Sequence, residues 1–213
     1  HMSYLEDGNV GTVTAEFDPA KPGILLIGDS IRMGYCKTVQ AQLQDVANVF
    51  FPQENCRNTQ YVITRLRAWS REVPAEHIGL IQFNCGHWDT GHFNGYETCL
   101  TSPEEYRRNI RMIIWQLRQL FPNAKLVFAT TTAMNPSGFV GVNPRTNAEI
   151  QQYNAIAVET ATALGAAIND LWSITITYPQ EKFKDYCHLT EPAFKELGTA
   201  VADYLRRAIR ELT

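Results

Sequence analysis

The run Ile24-Leu25-Leu26-Ile27 is unbroken in its apolar character and ends at once in Gly28-Asp29-Ser30. A strand that faces water on one side alternates apolar and polar residues, whereas one that is apolar throughout must be covered on both faces, as in a parallel sheet. Similar short runs recur along the chain, and the pattern predicts strands over 24–28, 46–51, 78–84, 125–130 and 166–169. Helical signals separate them. Ser102-Pro103-Glu104-Glu105 is a capping box with proline at the first helical position. Tyr106, Ile110, Ile113, Ile114, Leu117 and Leu120 follow at helical spacing. Helices are also expected after Ser30 and Thr59, over 148–164 with Gly165 as the residue that ends it, and after Thr190. The order is strand then helix five times over, which predicts one doubly wound α/β domain with a five-stranded parallel sheet.

The bulk numbers fit that expectation and exclude several classes. A chain of 213 residues with 45% hydrophobic and 19% charged residues holds one substantial core and is not disordered. A net charge of -3 gives no reason to expect nucleic acid or an anionic membrane as partner, and no apolar run reaches the length of a bilayer. His1-Met2 reads as an expression-tag remnant, leaving 3–213 as a single domain. The compartment stays open: a soluble protein, cytoplasmic or secreted after loss of a signal peptide. Five cysteines are an odd number, without a CxxC pair or zinc spacing, and are expected as free thiols. A disulfide among Cys56, Cys85 and Cys187 is the weaker alternative. Oligomeric state is not readable.

Two connections, 86–101 and 131–144, are long for a compact domain. Both leave the carboxyl ends of predicted strands, the edge at which open α/β sheets bind ligands. Ser30 leaves the same edge, and so does the segment holding Asp185 and His188. A serine hydroxyl is a poor nucleophile until an imidazole takes its proton, and a carboxylate fixes the imidazole's tautomer. Alone, Ser30 would be read as a helix cap; with Asp185 and His188 it is read as a nucleophile, its N–H at a helix start being suited to an oxyanion. His87, Asp89 and His92 match no metal-ligand spacing, so no metal is expected. Arg32, Arg57 and Arg145 are available to a substrate anion but are read as ordinary surface or ion-pairing groups.

Gly28-Asp29-Ser30-Ile31, Asn84-Cys85-Gly86-His87-Trp88-Asp89 and Asp185-Tyr186-Cys187-His188 resemble three sequence blocks of the SGNH (GDSL-type) hydrolase superfamily, with 52–59 where its second block falls. The resemblance implies a flavodoxin-like three-layer α/β/α fold, hydrolysis of an ester or thioester, and no metal or organic cofactor. It assigns Ser30 as nucleophile, His188 as base and Asp185 as the orienting carboxylate. Two positions depart from the pattern: Cys56 stands where the second block has glycine, and Trp88 where the third has asparagine. The expected oxyanion donors are therefore the N–H groups of Ser30 and Cys56 and the side-chain amide of Asn84, two residues upstream of the glycine of the third block. Asp29, Gly86, Trp88 and His92 are expected to touch substrate. The Asn-x-Gly-x-Trp form resembles relatives that modify carbohydrate O-acetyl groups, so the expected substrate is a small acyl ester, foremost an O-acetyl group on a carbohydrate. A non-catalytic carbohydrate-binding module and an acyltransferase on the same triad are the alternatives.

Overall fold

A computed structural model describes residues 10–11, 17–138 and 141–212; His1-Met2 lies outside them. The expected strands form as β2 (Gly23–Ile27), β3 (Asn48–Pro52), β4 (Ile78–Phe83), β5 (Lys125–Ala129) and β6 (Ala167–Asn169). All pair in parallel, in the order β3-β2-β4-β5-β6, the flavodoxin-like arrangement. One addition was not foreseen: β1 (Val10–Gly11) pairs antiparallel with the outer edge of β3. Two residues are too few to carry a periodic signal.

The helices are α1 (Ser30–Leu43), α2 (Thr59–Arg71), α3 (Pro103–Leu120), α4 (Asn147–Ala163), the single-turn α5 (Leu171–Thr175) and α6 (Glu191–Arg210). The Ser102–Glu105 capping box and the Thr190 cap form as expected, and Gly165 takes φ +83° beyond the end of α4, a conformation that favours glycine. Strand alternation divides the core in two. Leu25, Ile27, Ile81, Phe83 and Phe128 pack with α2, α3 and α4, while Ile24, Leu26, Leu80 and Val127 pack with α1 and α6. The central strand β2 is thus buried along its whole length, which is why its sequence is apolar throughout. Among the described residues no helix is long and apolar enough to cross a membrane.

One contact positions the site. Helices α1 and α6 meet so closely that a Cβ on Gly34 would lie 2.4 Å from the Phe194 ring, and one on Gly198 would lie 2.9 Å from Thr38. Glycine at both positions lets the helices approach, and so brings the segment just before α6 against the start of α1.

Candidate active site

Residue Asp29, not Ser30, caps α1: its Oδ1 accepts the Ile31 N–H at 2.9 Å. Asp29 is buried and does not line the cleft above it, which corrects its expected contact with substrate. With the cap supplied by its neighbour, Ser30 is left free to aim elsewhere. Its Oγ lies 2.7 Å from His188 Nε2. On the far side of the ring, His188 Nδ1 lies 2.8 Å from Asp185 Oδ2 and 3.0 Å from Oδ1.

Asp185 is held by a tight turn in which its Oδ1 accepts the N–H groups of Cys187 at 3.0 Å and His188 at 2.7 Å. Partial burial works against its charge, but these bonds and the imidazole hold its carboxyl below the usual range. The turn is fixed to the loop after β5, where Asn135 Nδ2 donates to Asp185 O at 3.0 Å and Asn135 N to Tyr186 O at 2.8 Å.

Two clefts open on Ser30 and His188. The smaller, about 320 Å³, is lined by Asn55, Trp88, Phe93, Asn143, Arg145 and Tyr186 among others. The larger, about 860 Å³, runs between α1 and α6 past Met33, Lys184 and Phe194. Trp88 lines the smaller cleft, with its ring centroid 5.5 Å from that of Phe93.

Other expected residues do not reach the cleft. His92 turns away: Nδ1 lies 2.8 Å from Tyr96 O and Nε2 lies 3.0 Å from Glu149, tying its loop to α4. Gly86 is buried against Thr131, whose Oγ1 would lie 1.8 Å from an added Cβ; the residue is there for close packing. His87, which does line the cleft, Asp89 and His92 are engaged with different partners and do not cluster. His87 Nε2 meets Thr132 Oγ1 at 3.1 Å, while Asp89 accepts from the hydroxyls of Thr59 at 2.6 Å and Thr101 at 2.7 Å.

The oxyanion donors need the largest correction. The Cys56 N–H donates to Gly28 O at 3.1 Å. The Asn84 amide donates to Ala129 O at 2.8 Å and Thr131 Oγ1 at 3.0 Å, which occupies both of its hydrogens. Neither group, as placed, has a donor open to an oxyanion. Asn55 was overlooked in the sequence. Its Oδ1 accepts the Arg57 N–H at 2.9 Å, which fixes which end of the amide is oxygen, and its NH₂ has no partner among the described residues.

The loop holding Asn55 is clamped to the helix that begins with Ser30. Arg32 Nη1 donates to Pro52 O and Nη2 to Glu54 O, both at 2.7 Å, so this buried arginine is a structural tie and not a substrate group. Glu54 in turn meets Arg65 at 3.0 Å and Trp69 Nε1 at 3.1 Å, and accepts from the Tyr61 hydroxyl. The five cysteines are free.

Comparison with solved structures gives the fold its class. The chain superposes on a lipase/acylhydrolase from Enterococcus faecalis with a TM-score of 0.68 at 18% identity, over 88% of this chain and 96% of that one. An acetyl xylan esterase matches at 0.70 and 16% identity, over 86% and 99%. A carbohydrate acetylesterase from Sinorhizobium meliloti matches at 0.66 and 15%, over 88% and 100%. The fold is that of the SGNH/GDSL hydrolases. No family model matches the sequence, and no curated protein matches it.

Proposed function

We propose that this protein is a serine ester hydrolase that removes a small acyl group, foremost acetyl, from a carbohydrate. The observation that carries the reading is the unbroken hydrogen-bonded chain Ser30 Oγ–His188 Nε2–Asp185, at 2.7 and 2.8 Å, opening into a cleft walled by Trp88, Phe93 and Tyr186. In this reading Ser30 attacks the ester carbonyl while His188 takes its proton, and Asp185 holds the ring in the required tautomer. The developing oxyanion meets the Ser30 N–H, one of the unbonded donors at the start of α1, and the Asn55 amide. His188 then returns its proton to the departing alcohol, and a water activated by the same imidazole releases the acid from Ser30. The aromatic walls suit the apolar faces of a sugar ring. The fold class shared with two carbohydrate-directed acetylesterases supports the choice of substrate.

The test is direct. A fluorophosphonate should label Ser30, and release of acetate from acetylated oligosaccharides should depend on it. A folded Ser30→Ala protein that still hydrolyses esters would overturn the reading.

A further inference from the structure

We propose that Arg145 is the receptor for a carboxylate of the substrate, so that the ester taken by this site is anionic; the proposal rests on the ester-hydrolase reading above. Arg145 precedes Thr146, the cap of α4, and lines the smaller cleft with Ser30 and His188. It is 6% exposed, yet makes no ion pair and no hydrogen bond among the described residues, and its Nε is fully buried without a partner.

The other two buried arginines show how this chain treats such a group when it is structural. Arg32 donates to the carbonyls of Gly28, Pro52 and Glu54, and Arg65, although its Nε and Nη1 are also unpartnered, has its charge met by Glu54 at 3.0 Å. Among the described residues Arg145 has only the face of Tyr186, 5.4 Å from the guanidinium carbon. A charge withdrawn from water without a partner is costly, and a structure that retains one in its cleft is arranged to pair it with something that binds there.

Among the described residues no carboxylate lines this cleft. Asp185 is engaged by His188. Asp29 lies within electrostatic reach of Arg145 and its Oδ2 is buried without a hydrogen-bond partner, but it makes no contact with the guanidinium within 4.0 Å, and its Oδ1 caps α1. Burial pushes the neighbouring His87 well down, so it stays neutral beside the guanidinium. At the rim, Arg57 lies 5.8 Å from the Trp88 ring and adds positive field, although the chain as a whole carries -3.

Among the described residues the lining supplies one guanidinium, with a planar fork of donors. That matches a carboxylate in charge and shape; a phosphate dianion would be left half compensated. Combined with the proposed chemistry, this names an O-acetylated sugar acid as the substrate class. A carboxylate on the acyl half would be recognised by the same group, and paired substrates separate the two.

The experiment compares O-acetylated methyl glucuronide with O-acetylated methyl glucoside, and 4-nitrophenyl hydrogen succinate with 4-nitrophenyl acetate. We expect kcat/KM to favour the acidic member of the sugar pair by about 10²-fold, chiefly through KM, with the ratio near one in Arg145→Gln and partly kept in Arg145→Lys. A preference confined to the succinate, lost in Arg145→Gln, supports the receptor but moves the carboxylate to the acyl half. Ser30-dependent hydrolysis without preference in either pair overturns the proposal and leaves the esterase standing. If Ser30 supports no hydrolysis and takes no fluorophosphonate, the esterase reading falls. Calorimetry with methyl glucuronide and methyl glucoside then decides: selective binding lost in Arg145→Gln supports the receptor, and equal or absent binding overturns it. Should Arg145→Gln fail to fold, the wild-type ratio and Arg145→Lys carry the test.

Discussion

Two sets of polar groups surround Ser30, and they differ in whether their hydrogen-bonding capacity is closed or open. Cys56 and Asn84 are closed: the N–H of the first is taken by Gly28 O, and the amide hydrogens of the second by Ala129 O and Thr131 Oγ1. Asn55 and Arg145 are open, each lining the cleft with donors that no described residue accepts. Buried polar groups are nearly always satisfied, so a closed group is doing structural work at its partners. An open one in a cleft is available to a ligand. The distinction separates scaffold from site more sharply than nearness in sequence to a recognisable block.

The comparison presumes that Ser30 is the reacting atom, and the largest expected effect tests that. His188→Ala should lower kcat on a short aryl ester by about 10⁴-fold or more without unfolding the protein. Near-normal turnover would remove the reason for ranking groups by their position around Ser30.

The next test sets one asparagine against the other. Asn55→Ala should lower kcat by about 10²–10³-fold with little change in KM, as expected for a donor acting in the transition state. Asn84→Ala should leave kcat within a few fold and cost about 1–3 kcal/mol of stability, because it strands the Ala129 carbonyl. The reverse pattern, read from kinetics and denaturant melts, would restore Asn84 as the oxyanion donor. Trp88→Phe belongs in the same series: it removes an indole N–H while keeping the aromatic wall, and should act mainly on KM.

A smaller effect probes the packing that brings the segments together. Gly34→Ala puts a methyl against the Phe194 ring, which should cost about 1–3 kcal/mol and move His188 relative to Ser30. Activity should fall more than the unfolded fraction explains. An alanine variant as stable and active as the parent would show that α6 can yield without disturbing the site.

The smallest effect concerns His92, closed by Glu149 and Tyr96. Its hydrogen bond to Glu149 raises its pKa, so its contribution to stability is complete below the unfolded value and fades as pH rises through the folded one. His92→Gln should therefore lose under about 1 kcal/mol, more at pH 5 than at pH 9, with KM unchanged. A changed KM would return His92 to the substrate site.

The five parallel strands, the caps of α3 and α6 and the glycine after α4 were legible in the sequence because each is a local signal. Apolar runs report burial on both faces, and capping residues act on N–H groups two or three positions away. Ser30, Asp185 and His188 were legible for a related reason: each sits at the carboxyl end of the sheet, where chain order alone delivers it. The state of the donors around them was not. The sequence put Cys56 and Asn84 beside Ser30, but whether an N–H is open depends on acceptors contributed by Gly28 just after β2, by Ala129 of β5 and by the Thr131 hydroxyl. Only the closed fold supplies those partners. The same holds for Arg145, whose meaning lies in what it fails to meet, and for Gly34 and Gly198, which matter only once α1 and α6 lie against each other. Periodicity and capping are properties of a segment, whereas satisfaction of a polar group is a property of everything folded around it.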